Sequence, residues 1–234
     1  MAKRDLYNSL IEISLEDFLK TRGGGNIIEE KWTVNLDSFV SNLKDEQKRI
    51  LKNKIEKKKN ETHSQHNDVF HEISVACAFY GGANFLEENK NMFMPDFYSG
   101  GINVEIKTIN NSDVEKNRLS DISECPRCVI SNGWDENKIK IFMDLAVNAM
   151  VKKFNDHIQK AMKQLGAGGG HVWIVYAIDY PSGFHKYEEL KLEIENKFDE
   201  TIKALPIKYK VGYIHFGKLR DEIKNKKVKK QYEN

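Results

Sequence analysis

Apolar residues recur along this chain with two different periods, and the switches between them divide it into elements. Leu6, Leu10, Ile13 and Phe18 suit a short amphipathic helix that Arg22-Gly23-Gly24-Gly25-Asn26 interrupts. Ile27 to Trp32 reads as a short strand. From Leu36 to Lys59 a helical stripe places Phe39, Leu43, Ile50, Leu51 and Ile55 on one side. A second predicted helix starts after Asn60-Glu61-Thr62 and runs to Tyr80, burying Val69, Ile73, Ala76 and either Cys77 or Tyr80, with Gly81-Gly82 as its stop. Asn84 to Glu87 is a short strand. The pattern predicts a long helix over Glu136–Leu165, ended by Gly166-Ala167-Gly168-Gly169-Gly170. His171 to Asp179 follows as a continuous apolar run, as central parallel strands have. A helix over Tyr187–Ala204 stops before Pro206, Val211 to Phe216 is a last strand, and Lys218 to Lys230 is a basic, frayed helix or tail.

Between the second and third helices the period changes to two. Ser99-Gly100-Gly101 is a turn, because paired glycines supply the positive φ that tight hairpins require. After it, Ile102, Val104 and Ile106 alternate with Asn103, Glu105 and Lys107, which predicts a strand with one buried face. Glu105 and Lys107 then project from the same face, roughly 7 Å apart. Asp96 lies on the other arm, so the hairpin brings it beside Glu105. Two carboxylates and an amine in one small volume make a divalent-metal site with a positioned cation. Glu-x-Lys also occurs at Glu46–Lys48, Glu56–Lys58, Glu88–Lys90, Glu136–Lys138, Glu195–Lys197 and Glu222–Lys224, in polar, helix-like sequence. The copy at Glu105–Lys107 differs in lying inside an alternating apolar strand.

Composition narrows the class. At 234 residues and 40% hydrophobic content the chain can build one large domain, or a domain with an appended lobe. The net charge is only +2, so nucleic-acid binding would depend on local clusters. With no long apolar run and no signal-peptide pattern, a mean hydropathy of −0.61 reads as a soluble, cytoplasmic protein without a membrane partner. Three cysteines give no disulfide framework, and Cys125-Pro126-Arg127-Cys128 is half a zinc ribbon lacking its second pair. Lys48, Arg49, Lys52, Lys54 and Lys57-Lys58-Lys59 form either a solvated helix face or a ridge that tracks phosphates. His63, His66 and His71 read as surface or phosphate-contacting residues rather than zinc ligands.

Pro95-Asp96, eight residues, then Glu105-Ile106-Lys107 resembles the motif of the PD-(D/E)xK, or restriction-endonuclease-like, nuclease superfamily. The resemblance implies an α/β fold with an αβββαβ core, a central mixed sheet flanked by helices, which residues 62–180 fit in order. Residues 1–60 are then an N-terminal helical extension for substrate binding or dimerisation, and 61–234 the nuclease core with an inserted loop at 110–135. It further implies a glutamate on the helix before the hairpin: Glu72, with Asp68 as the alternative. The implied function is a divalent-metal-dependent endodeoxyribonuclease of restriction or defence type, a homodimer on double-stranded DNA, leaving 5′-phosphate and 3′-hydroxyl ends. Asp96, Glu105, the Ile106 carbonyl and Glu72 would hold Mg²⁺, with Mn²⁺ as a substitute. Lys107 would orient the attacking water, its pKa depressed beside the dication. Gln159, Lys160 and Gln164 lie on the long helix, where some relatives carry site residues, but they read as solvent-facing. An inactive nucleic-acid-binding or scaffold subunit of the same fold, an RNA-directed nuclease, and an unrelated α/β protein are the competing expectations.

Overall fold

The computed structural model describes residues 31–58, 63–80, 82–87, 94–109, 135–178 and 184–226. In chain order these form α1 (Lys31–Ser41), α2 (Asp45–Lys58), α3 (His63–Phe79), β1 (Asn84–Phe85), β2 (Phe97–Ser99), β3 (Ile102–Ile109), α4 (Glu136–Leu165), β4 (Gly170–Tyr176), α5 (Tyr187–Lys203), β5 (Tyr209–His215) and α6 (Phe216–Asn225). The five strands make one sheet in sequence order. β1, β2 and β3 run antiparallel, whereas β3, β4 and β5 run parallel. This is an α/β fold with a mixed sheet and helices on both faces. None of the described helices is long and apolar enough to cross a membrane.

The two connection types explain the mixed sheet. A two-residue loop joins β2 to β3, with Gly100 at φ 56° and Gly101 at φ 88°, a combination that L side chains rarely adopt. Parallel neighbours instead need a crossover. α4 supplies it between β3 and β4, and α5 between β4 and β5. Both crossover helices share one hydrophobic cluster with the sheet: Phe154, Ile158, Ile194 and Phe198 pack against Val172, Ile174 and Tyr176. The Phe154 and Phe198 rings stack at 3.8 Å. At Gly170, where β4 begins, a Cβ would collide with the Asn103 carbonyl, so the glycine run is also a packing requirement of the β3–β4 seam.

The opposite face is covered by α1, α2, α3 and α6. Trp32, Leu36, Leu51, Ile55, Val69, Leu219 and Ile223 belong to one cluster with Val104, Ile106 and Val175. The N-terminal helices therefore share a core with the sheet. Trp32 lies in a helix, not in the predicted strand, because Trp32, Leu36 and Val40 recur every fourth residue and are all buried. The single helix read over 36–59 is two helices, broken between Ser41 and Asp45. α6 is a packed helix over the described part of the predicted basic tail. Phe216, Leu219 and Ile223 are buried, the His215 ring accepts from the Gly217 amide, and Asn35 Nδ2 donates to the Ile223 carbonyl at 2.8 Å.

β3 departs from its reading in an informative way. Val104 and Ile106 face one core, but Glu105 on the other face is fully buried and Lys107 is half-buried. The alternation of apolar and polar residues here separates two buried environments, not core from solvent. A strand in the middle of three layers has no solvent face, so a carboxylate on it calls for an explanation beyond solubility.

Candidate active site

The site forms where β2 stops short of its neighbour. The β2–β3 register pairs Phe97 with Val104, and the next step along it sets Asp96 opposite Glu105. The Asp96 backbone remains in the ladder: its amide donates to the Val104 carbonyl at 3.0 Å, and its carbonyl accepts from the Leu86 amide at 3.1 Å. Beyond it, the Ile106 amide of β3 has no further β2 residue to pair with. Asp96 Oδ2 takes that place, accepting the Ile106 N–H at 2.7 Å. The amide and carbonyl of a strand residue share one edge, so the Ile106 carbonyl opens on the Asp96 side as well.

Glu105 and Lys107 project from β3 toward α4. Lys107 Nζ donates to Glu105 Oε1. Glu105 Oε2 is buried with no hydrogen-bond partner among the described residues. Burial, then the Asp96 charge, push the Glu105 carboxyl well above the usual carboxylate range, against the pull of Lys107; Glu72 adds a smaller push upward. For Lys107, burial disfavours the ammonium, but Glu105, Asp96 and Asp68 outweigh it and raise its pKa. Both partners are thus driven toward their protonated forms. Beyond the effect of burial, the two shifts share one cause: the carboxylates around Lys107 and Glu105 act together on both groups.

A second ion pair stands behind the first. Lys54 Nζ of α2 donates to Glu72 Oε2 of α3 at 2.7 Å, with both side chains almost wholly buried, and it approaches the Asp96 carbonyl at 3.5 Å. Lys54 is therefore no part of a solvated or phosphate-tracking ridge. Lys48 is buried as well, while Arg49, Lys52 and Lys57 remain exposed. The signal for Lys54 lay in its spacing: it falls three residues after Leu51 and four after Ile50, on the apolar stripe itself.

The other candidates sort by position. His71 is buried and its Nδ1 shares a hydrogen bond with Thr108 Oγ1 at 2.9 Å, so it is a core contact between α3 and β3 and not a surface histidine. Asp68 reaches Lys107 electrostatically. Gln159 and Lys160 are exposed and Gln164 half-buried. Cys77 is buried, and burial pushes its thiol up to about 11, which leaves it unreactive. Cys125, Cys128, the glycines at 23–25 and the side chains of His63 and His66 lie outside the described residues. His157 on α4 was not singled out from the sequence. It occupies the buried stripe three residues after Phe154, and its Nδ1 is buried without a hydrogen-bond partner among the described residues. Among those residues, no three His, Cys, Asp or Glu side chains are drawn together as a metal-ligand group. Asp96 and Glu105 meet, whereas Glu72 is turned to Lys54. Comparison with protein-family models, curated proteins and solved structures yields no match.

The raised Glu105 pKa has a measurable consequence for stability. An acid whose folded pKa exceeds its unfolded value contributes stability that is complete below about 4.5 and is lost as pH rises toward about 9. His157 works from the other side: burial first, then Lys160 and Lys107, hold its imidazole down to about 4, so stability falls as pH drops from 6.5 toward that value. Thermal melts in EDTA should decline above about pH 6.5, whereas between about 4.5 and 6.5 the two contributions oppose each other and the melt should stay level. In Glu105→Gln the alkaline decline should flatten and an acid decline below about pH 6.5, carried by His157, should emerge. An unchanged alkaline slope would count against a buried, charge-strained Glu105.

Proposed function

We propose that this chain is a divalent-metal-dependent endonuclease of the PD-(D/E)xK type, hydrolysing DNA phosphodiesters to 5′-phosphate and 3′-hydroxyl ends. The observation that carries the reading is the meeting of Asp96, Glu105 and Lys107 at the end of β2, with one Glu105 oxygen buried and lacking a hydrogen-bond partner. The order of elements supports it. α3, three antiparallel strands, the crossover helix α4 and the parallel strand β4 follow one another as the αβββαβ arrangement requires.

The residues fit a hard dication. Asp96, Glu105 and the Ile106 carbonyl offer only oxygen ligands, which Mg²⁺ prefers, and the excess negative charge would be relieved by it. Glu72, behind Asp96, would complete the outer shell through Lys54. Bound there, Mg²⁺ would lower the pKa of a coordinated water and neutralise charge on the phosphoryl oxygens. The chain's own residues divide the remaining work. Asp96 fixes the β3 edge through the Ile106 amide. Lys107, half-buried on the sheet, is the cation that can orient the nucleophilic water and offset transition-state charge. The buried walls from α4 and β4 keep the local dielectric low, which strengthens each of these interactions.

One observation favours a second reading, a binding or scaffold subunit without catalysis. The Lys54–Glu72 and Lys107–Glu105 pairs already engage two acids, and no three acids are gathered among the described residues. Incubation with supercoiled plasmid, linear duplex and RNA, in Mg²⁺, Mn²⁺ or EDTA, separates the two. Cleavage with Mg²⁺ or Mn²⁺ that EDTA stops is the expected result, with DNA preferred over RNA. Gel-shift binding of nucleic acid with no cleavage under any condition would favour the scaffold reading.

A further inference from the structure

We propose that His157 is a positioning residue of this site, its Nδ1 accepting a hydrogen bond from the Lys107 ammonium when Glu105 is committed to a cation. The inference rests on the metal-site reading and adds to it a residue that the motif does not contain. In the structure described here Lys107 is engaged by Glu105. A dication at Glu105 would repel that ammonium, and an amine with three donors needs another acceptor to remain placed for catalysis.

His157 answers that need by position. α4 packs along β3, and Glu105, Lys107 and Ile109 project from the face that α4 covers, together with Val172 and Ile174 of the neighbouring strand. His157 stands among Phe154, Ile158 and Ala161 on the inward stripe of that helix. Its Nδ1 is fully buried with no hydrogen-bond partner among the described residues, a state that native folds rarely leave without a reason. Burial first, then the Lys160 and Lys107 charges, keep the imidazole neutral at neutral pH despite Asp156, and Lys107 is thus near enough to act on the ring. A neutral imidazole has one acceptor nitrogen. The tautomer with the proton on Nε2 presents the Nδ1 lone pair to the ammonium. A leucine would fill the stripe better, so packing alone does not account for a histidine.

The test is ¹⁵N NMR of the His157 ring in the full chain, with and without Mg²⁺, beside Lys107→Met. The expected result is an upfield movement of a pyridine-like Nδ1 resonance on adding Mg²⁺, absent from Lys107→Met. In cleavage assays His157→Leu should lose about 10–100-fold in kcat with KM little changed, the range seen when a supporting hydrogen bond is removed. His157→Asn, whose amide oxygen stands near the Nδ1 position, should restore most of that loss. An Nδ1 resonance indifferent to Mg²⁺ in a protein that calorimetry shows to bind Mg²⁺ would overturn the His157 role alone. Calorimetry showing no Mg²⁺ binding at all would overturn the metal site, and this inference with it.

Discussion

Glu105→Gln should lower cation-dependent cleavage by about a thousandfold, the scale on which removal of a preorganised charged or polar group acts on transition-state stabilisation, and at the same time make the protein more stable. The two signs follow from one cause. Glu105 is wholly buried, repelled by Asp96, and has one oxygen with no hydrogen bond among the described residues, so its charged form is destabilised by the fold. Glutamine keeps the shape, can accept from Lys107 through its amide oxygen, and carries no charge to desolvate. The gain in melting temperature should grow with pH between about 4.5 and about 9, the window in which the unfolded carboxyl is ionised and the folded one resists ionisation. Lys107→Met should lose activity comparably but gain no stability, because it leaves Glu105 without the ammonium that offsets its burial. A residue that is inactivating and stabilising to replace is one the fold carries for function. If Glu105→Gln cleaves at the wild-type rate, or melts below it at pH 8, Glu105 is not the metal-binding carboxylate.

Much of the core was legible because periodic signals were strong there. The 30-residue helix over Glu136–Leu165 has an uninterrupted apolar stripe and a glycine stop, and its limits are those read from the sequence. The continuous apolar run beginning at His171 marked a strand with neighbours on both sides, and β4 lies between β3 and β5. Asp96 and Glu105 were placed together by the hairpin alone. The readings that failed did so where local pattern competes with tertiary packing. Trp32 ends a short segment that opens on Ile27-Ile28 and reads locally as a strand, yet Leu36 and Val40, four and eight residues on, draw it into a helix against Phe70 of α3, edge to face at 5.9 Å. Lys54 looked like one cation in a basic run, and only the opposing Glu72 turns it inward. Polar residues on an apolar stripe are invisible to a reading that assigns every charge to solvent. Lys54, His157 and His71 are three cases of that one limitation, and two of the three stand beside the site.

Lys54→Met should destabilise the protein by about 3–5 kcal/mol, a fall of roughly 6–20 °C in melting temperature for a chain of this size. The Lys54 and Glu72 side chains are 3% and 4% exposed, and their charges meet at 2.7 Å. Removing the ammonium leaves the Glu72 carboxylate in a medium that cannot solvate it, between the α2 and α3 stripes. Replacing both, as Lys54→Met with Glu72→Leu, removes the desolvation penalty together with the attraction, and such exchanges are commonly neutral or stabilising. The double variant should therefore recover most of the lost stability, giving a coupling energy of the order of the single loss. Its activity then decides what the pair is for. Lys54 also touches the Asp96 carbonyl, which ties the pair to the backbone that aims the Asp96 carboxylate. A stable double variant with cleavage reduced tenfold or more would make the pair a support of the catalytic edge. A stable double variant with full activity would reduce it to a packing element, and Glu72 would leave the site. Lys54→Met melting with the wild type would show instead that the pair is solvated, contrary to the burial that defines this edge of the sheet.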